Sequence, residues 1–357
     1  MPALVFTAVL VASAGVLFAA LFTAFGSQRP DELGWDFRVA YFPAAQAIVD
    51  GESPYPAAPN DPALDEKTVY AYPPQLAFLI TPLTPFSVNV AVVVAVVASL
   101  VALFGALALV GVRDVRCYAV VVIWGTGWNA LEMANVSALL TLFLALAWRF
   151  RATIWPLAAT LGVMVSTKLF LWPMLVWAVA TRRVRTAGLA ILLGFAVTIA
   201  TWAMIGFAGM REYPDLLSRV ASQDSYSVQA MVDALGLGSE VAYAVTILVG
   251  GGLLATCFAF ARRADDQRAF IVGLAAAFAM SPVVWLHYLV MLAVPLGIAR
   301  PRLSPIWLLP MLLWVSPRSE NGTTLDPFLP GLVAATILAL LLARPSLCHE
   351  RVAAAPA

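Results

Sequence analysis

The chain of 357 residues carries 21 basic and 20 acidic side chains, a net charge of +1, with 62% hydrophobic and only 11% charged residues. Soluble domains hold about 45–50% apolar and about 25% charged residues, so this composition cannot cover a folded surface in water. A soluble enzyme, a disordered chain and a nucleic-acid binder are excluded, the last because the charge is near zero and no basic stripe exists. The mean hydropathy of +0.89 describes an all-α polytopic membrane protein. Cys117, Cys257 and Cys348 are odd in number and scattered, without a CxxC pair, which argues against a disulfide framework or a zinc site.

In chain order, apolar runs predict spans at 3–25, 88–111, 117–131, 136–148, 153–167, 169–180, 186–206, 240–261, 269–283, 285–299, 303–316 and 328–343. The first lacks a basic leader and is long for a signal-peptide core, so it is expected to be retained. Several runs are shorter than the roughly 20 residues a crossing needs. The pairs 117–148 and 153–180 therefore read as short helices meeting at a polar or proline break, an arrangement tolerated in lipid only where protein shields the backbone.

Alternate connections carry Arg113/Arg116, Arg149/Arg151, Arg182/Arg183/Arg185, Arg262/Arg263/Arg268 and Arg300/Arg302, and the tail adds Arg344 and Arg351. The positive-inside rule puts these in the cytoplasm. About twelve crossings follow, with both termini cytoplasmic, in one integral domain over residues 1–357 of a plasma-membrane protein. The outer loops are then 26–74, 207–239 and 317–327. The first holds eight acidic residues and a short amphipathic helix at 36–49, opened by Asp36 and closed at Gly51.

Ionisable residues inside apolar runs cost about 2.5–3.5 kcal/mol each at mid-helix, so each needs a reason. Glu132, Lys168 and His287 are such residues, with Asn135 nearby, and all fall toward the outer ends of their runs. Asp36 and Arg38 enter from the outer loop at the same level. Each has a plain reading. An Asp ahead of a helix is most often its N-cap, and a Lys near a helix end snorkels. A lone His is more often structural than acid–base, and Trp285 and Tyr288 fit an interfacial belt.

No phosphate-binding GxxxxGK[ST] loop, GxGxxG turn, HExxH motif or His/Cys cluster occurs. Outer-face chemistry would lack cytosolic nucleotides, so an activated group would have to arrive on a lipid. A lipid phosphate leaves with cationic or hydrogen-bonding help, and one carboxylate base would complete the site. No metal is expected.

The stretch WDFRVAYFPAAQAIVDGESPYP, followed by YAYPPQLAFLITPLTPF at 70–86, resembles the first outer loop of glycosyltransferase family 87. KLFLWPMLVWAVATRRVR at 168–185 resembles that family's Lys-x-x-x-x-Pro helix, and SPVVWLHYLV at 281–290 its Ser-Pro-x-x-Trp-x-His motif. The resemblance implies the multi-span C-type glycosyltransferase fold and a polyprenyl-phosphate-mannose-dependent mannosyltransferase. It matches Asp36 to the family's catalytic acidic residue, His287 to its active-site histidine and Lys168 to its intramembrane lysine. This chain departs at Ala134-Asn135-Val136-Ser137, where the family often reads Gly-Gln-x-Asn. It departs also at Leu286, at Tyr288, where a second histidine is frequent, and at Ser225-Tyr226-Ser227.

The expected reaction is inverting transfer of a sugar, mannose first, from a polyprenyl-phosphate donor to a glycolipid or glycan acceptor on the outer face. Asp36 would be the base. Lys168, Arg38 and His287 would meet the phosphate, and Trp285 and Tyr72 would stack on sugar rings, with Asn135 and Glu132 as further binding residues. A polyprenyl-phosphate-arabinose-dependent arabinofuranosyltransferase is the alternative within the class. A transporter or lipid flippase is the alternative outside it, but that would place polar residues at the midplane, in paired repeats.

Overall fold

The computed structural model describes residues 33–56, 68–221, 225–315 and 327–343, together with the isolated Gly15. Apart from Gly15, the run expected at 3–25 lies outside them, as does nearly all of the loop at 317–327. All regular structure among the described residues is helical. A π-helix, α1 (Phe37–Tyr41), runs directly into α2 (Phe42–Val49). The pair ends in a Schellman closure, with Gly51 N donating to Ile48 O and Glu52 N to Ala47 O. Next come α3 (Pro74–Ile80) and the long α4 (Val88–Leu109).

The run expected at 117–131 is two helices, α5 (Val115–Ile123) and α6 (Gly125–Glu132). They part at Trp124, whose indole N–H reaches the Trp307 carbonyl at 2.8 Å and is fully buried there. α6 then meets α7 (Ser137–Arg149) at a bend of 117°. α8 (Ile154–Thr167) stops at Lys168, whose backbone is extended, and a short 3-10 turn at Leu169–Leu171 leads to α9 (Pro173–Ala180). Pro173 opens α9 where its missing N–H costs nothing.

α10 (Val184–Met204) is followed by the short α11 (Tyr213–Ala221) and α12 (Val228–Ala234), which fill the expected loop at 207–239. α13 (Ser239–Arg262) and α14 (Asp266–Met280) form an antiparallel pair. The runs at 285–299 and 303–316 are not regular α-helices. Leu286–Leu292 is 3-10 before α15 (Ala293–Ala299), and Pro305–Val315 is 3-10 around Pro310. α16 (Phe328–Leu342) closes the described chain.

Three described helices, α4, α10 and α13, are long and apolar enough to cross a membrane, and the bent pair α6–α7 would make a fourth. α10 and α13 are mostly uncovered, showing Ile191, Leu192, Phe195, Ile247 and Leu248 outward. A surface of that kind belongs in hydrocarbon. The shorter helices α7, α8, α9, α14 and α15 supply the buried core, centred on Trp177, Phe270, Leu144 and Leu161.

α8 packs along α10 through two small residues, because without a hydrophobic driving force in lipid close backbone contact must carry the association. A Cβ on Gly162 would sit 2.7 Å from the Ala190 carbonyl oxygen, and one on Gly194 would sit 2.8 Å from the Gly162 carbonyl oxygen. Gly162→Ala therefore forces the helices apart and should lower stability by about 1–3 kcal/mol. Gly188, on α10 with Gly194, faces open space, so Gly188→Ala should leave the thermal midpoint in detergent unchanged or raised. Equal midpoints for the two variants would remove the close-packing account.

Candidate active site

Residues from four separated segments meet around one carboxylate. The loop before α1 is brought in by Gly34, whose N–H donates to the carbonyl of Glu132 at the end of α6 (2.6 Å). Gly34 has φ +74°, and a Cβ there would lie 2.6 Å from a Val92 methyl, so only glycine fits this approach to α4. Two residues on, Asp36 adopts helical backbone angles and its side chain caps nothing. The capping expectation is thus corrected. The carboxylate turns away from its own helix and receives Asn135 Nδ2 on Oδ2 at 2.5 Å.

Asn135 sits in the bend between α6 and α7, 2% exposed. Its Oδ1 accepts from the Ser137 N–H (2.9 Å) and the Ser137 hydroxyl (2.7 Å), an Asx turn that starts α7. With the oxygen so occupied, Nδ2 must be the edge that faces the site, and it donates to both Asp36 and the Tyr41 hydroxyl (2.9 Å). Tyr41 donates to the Tyr72 hydroxyl (3.0 Å), and Lys168 Nζ reaches the same oxygen at 3.2 Å. An unbroken chain of hydrogen bonds therefore runs from Asp36 through Asn135, Tyr41 and Tyr72 to Lys168.

The rest of the site holds this chain in place. The Tyr72 ring lies edge-on to Tyr41 (5.2 Å) and tilted against Tyr70 (5.8 Å), and the Tyr72 carbonyl takes the Tyr55 hydroxyl (2.8 Å). Tyr55 in turn stacks on Trp202 of α10 at 4.7 Å. The Lys168 ammonium rests 3.7 Å from the centre of the Tyr288 ring, which stacks on Phe170. The lysine thus points into the protein's polar cluster, and tyrosine at 288 supplies the cation–π face beneath it.

His287 is buried beside Tyr288. Its Nδ1 lies 3.3 Å from Asn129 Oδ1, and its Nε2 has no hydrogen-bond partner among the described residues. Arg38 places Nε on the Leu33 carbonyl (2.7 Å), bracing the turn before α1. Glu132 contributes its backbone carbonyl to the Gly34 contact. Trp285 is half-buried at the start of the 3-10 segment, and its carbonyl accepts the Tyr288 N–H (3.0 Å). Tyr41, Tyr55, Tyr70 and Asn129 were not singled out in the sequence. As single tyrosines and an asparagine in or beside apolar runs they carry no signal of their own.

Burial pushes the Asp36 carboxyl above its ordinary value near 3.8, while the Asn135 hydrogen bond and then the positive charge of Lys168 pull it back down. Burial, and next the charge of Asp36, hold the Tyr72 phenol above its usual range, so it remains an O–H. Oδ1 of Asp36 accepts no hydrogen bond among the described residues, and the residue is half-buried. It is a fixed carboxylate with one oxygen tied down and the other available to take a proton, set one tyrosine away from an ammonium.

Among the described residues, long apolar helices gather a carboxylate and an ammonium at one polar cluster, an arrangement that points to the class of membrane enzymes. The sequence model of glycosyltransferase family 87 matches residues 70–286, more than half of the chain, and the chain belongs to that family. The matched stretch of residues 70–286 includes Tyr72, Glu132, Asn135, Lys168 and Trp285, whereas His287 lies immediately after it and Asp36 and Arg38 lie well before its start. No curated protein and no solved structure matches. The chain is a membrane glycosyltransferase, which sets aside the transporter alternative.

Asn135 tests the geometry of the base. Losing a hydrogen bond to a charged group, worth about 1.5–3 kcal/mol, should lower transfer by Asn135→Ala roughly ten- to hundredfold. That bond holds the Asp36 pKa down, so without it the carboxylate protonates at higher pH. The acidic limb of the rate profile should move upward, and an unmoved limb would show that Asn135 does not act on Asp36.

Proposed function

We propose that the protein is an inverting glycosyltransferase that moves a sugar from a polyprenyl-phosphate donor to a hydroxyl of a glycolipid or glycan acceptor. Mannose is the first sugar proposed and arabinofuranose the second. The observation that carries the reading is the Asp36 carboxylate, tied through Oδ2 to Asn135 and open at Oδ1, with Lys168 at the far end of the same hydrogen-bond chain.

Asp36 Oδ1 takes the proton of the acceptor hydroxyl as that oxygen bonds to the anomeric carbon. The bond from that carbon to the phosphate oxygen breaks on the opposite face, and its electron pair leaves with the lipid phosphate. One carboxylate is enough, because phosphate departs without a general acid; hydrolases that expel an alcohol need two. The ammonium of Lys168 meets the growing negative charge. His287, with Nε2 unpartnered, is the second polar group offered to the substrates. No metal enters the reaction in this reading, and Trp285 and Arg38 flank the substrate.

The arrangement in the membrane proposed with this reading has about twelve crossings in the C-type fold, the shorter helices crossing as broken pairs. Both termini are cytoplasmic, and the site faces outward at the plasma membrane. The arginine-rich connections after α4, α7, α9, α13 and α15 support it by the positive-inside rule. Glu212, before α11, and Arg185, in α10, are both exposed. In intact cells an impermeant thiol reagent should label Glu212→Cys but not Arg185→Cys. The reverse labelling would turn the site to the cytoplasm and remove the argument for a lipid-borne donor.

Asp36→Asn keeps the shape of the side chain but cannot accept the proton. General-base catalysis is worth about 10²–10⁴-fold, and transfer from a synthetic short-chain donor should fall by that much while the protein stays folded. The wild-type rate should itself decline as pH drops through a carboxylate value above the ordinary one, since the base works only when ionised. Near-normal transfer by Asp36→Asn would sink the assignment. Mass analysis of glycolipids from cells with and without the protein separates loss of a hexose from loss of a pentose.

A further inference from the structure

The hydrogen-bond chain has a direction, and the direction singles out one hydrogen. Ser137 donates to Asn135 Oδ1, which fixes Nδ2 as the donor to Tyr41. The Tyr41 oxygen accepts that bond, and the Tyr41 hydroxyl donates to Tyr72. Lys168, an ammonium with no lone pair, can only donate to the same Tyr72 oxygen. A phenol oxygen accepts two hydrogen bonds and donates one. Tyr72 therefore has both acceptor positions filled, and its hydrogen has no acceptor among the described residues.

The two ends of this tyrosine pair differ in exposure. Tyr41 is 2% exposed, whereas Tyr72 and Lys168 are half-buried and keep an open side. The Tyr72 ring packs against Tyr41 and Tyr70, and the Lys168 ammonium lies 5.1 Å from its centre, on the side of the hydroxyl. The Tyr72 hydroxyl lies at the Lys168 end of the ring, beside the ammonium.

We propose that Tyr72 donates its hydroxyl hydrogen to an oxygen of the donor's phosphate, beside Lys168, so that the phosphate is held by an O–H and an ammonium acting together. The proposal rests on the lipid-phosphate donor reading above. An N–H⁺ and an O–H converging from one side suit a phosphate monoester oxygen, whose negative charge makes each bond stronger than a neutral one. As the bond from the anomeric carbon to the phosphate oxygen breaks, the electron pair stays on the phosphate and the Tyr72 proton stays on Tyr72. The hydrogen bond strengthens as charge grows, with no proton transfer. Tyr41 serves as a positioning residue, because its hydrogen occupies the Tyr72 lone pair and leaves the Tyr72 hydrogen to face the ligand.

The test measures binding of a short-chain prenyl phosphate, the product of the proposed reaction, to the full chain in detergent, with the matching prenol as the uncharged control. Tyr72→Phe keeps the ring contacts and should weaken prenyl-phosphate binding roughly ten- to hundredfold while prenol binding stays put. Tyr41→Phe keeps the Tyr72 hydrogen but no longer holds its direction, and should cost clearly less affinity than Tyr72→Phe. Replacing Tyr72 with 3-fluorotyrosine, a stronger donor of nearly the same size, should tighten binding, and it decides the matter should Tyr72→Phe fail to fold. Unchanged affinity in Tyr72→Phe, or equal losses in Tyr72→Phe and Tyr41→Phe, would overturn the proposal and leave the donor reading standing. Failure of the wild-type protein to bind prenyl phosphate would remove both.

Discussion

The contact between Asn135 and Asp36 is the constraint on which the site depends. Four bonds use the whole capacity of the Asn135 amide, two received from Ser137 and two given to Asp36 and Tyr41. The residue that starts α7 thereby also aims the carboxylate and orders the tyrosines. The 117° bend between α6 and α7 puts this amide where the loop before α1 can reach it. The Gly34–Glu132 hydrogen bond then holds that loop against the end of α6. A half-satisfied version of such a buried network would be worse than an apolar contact; here every polar atom of Asn135 is used.

The opposite end of the bundle is held by a different carboxylate. Asp266, in the first turn of α14, receives a forked pair of bonds from Arg183 (3.0 and 2.7 Å) and the Trp177 indole N–H (3.0 Å), with Arg151 at 3.5 Å. These residues come from the α7–α8 connection, α9 and the residue before α10, so a single side chain ties four elements. Arginine suits this role because its planar fork meets both carboxylate oxygens at once. The described residues thus carry an ionic anchor at Asp266 among the basic connections as well as the ionic site among the tyrosines.

Much of this organisation was legible in the sequence, and the reasons for success and failure are physical. Uninterrupted apolar runs gave α4, α10 and α13 to within a few residues, because lipid permits nothing else along such lengths. The scarcity of ionisable residues in those runs drew attention to Lys168 and His287, and both lie in the cluster around Asp36 or beside it. The break at Trp124 was not legible, since it depends on a carbonyl 183 positions away. The 3-10 segments at Leu286–Leu292 and Pro305–Val315 were hidden by apolar runs that suit either helix. Asp36 carries two readings in the sequence, a cap from its local context and the base from the family resemblance. Its place ahead of a helix suggests a cap, but the partner that decides its orientation is Asn135, 99 residues on. Tyr41 gave no signal, because a phenol shows its polar role only when its hydroxyl finds a partner.

Asp36 and Tyr41 are five positions apart, a spacing that on a regular helix of 3.6 residues per turn places side chains about 140° from each other. Both nevertheless contact one amide, and the π-turn at Phe37–Tyr41 is what brings them to the same side. That turn amounts to one residue more than a regular helix would hold, a departure found often where function requires it. Shortening the segment by a single residue would relax it into ordinary helical winding while swinging the carboxylate and the phenol to different faces. The protein's helix here is wound to suit its chemistry at the expense of its own regularity, and the count of residues between positions 36 and 41 acts as a ruler. Insertions and deletions in this short interval are therefore closed to the protein even where single substitutions are open.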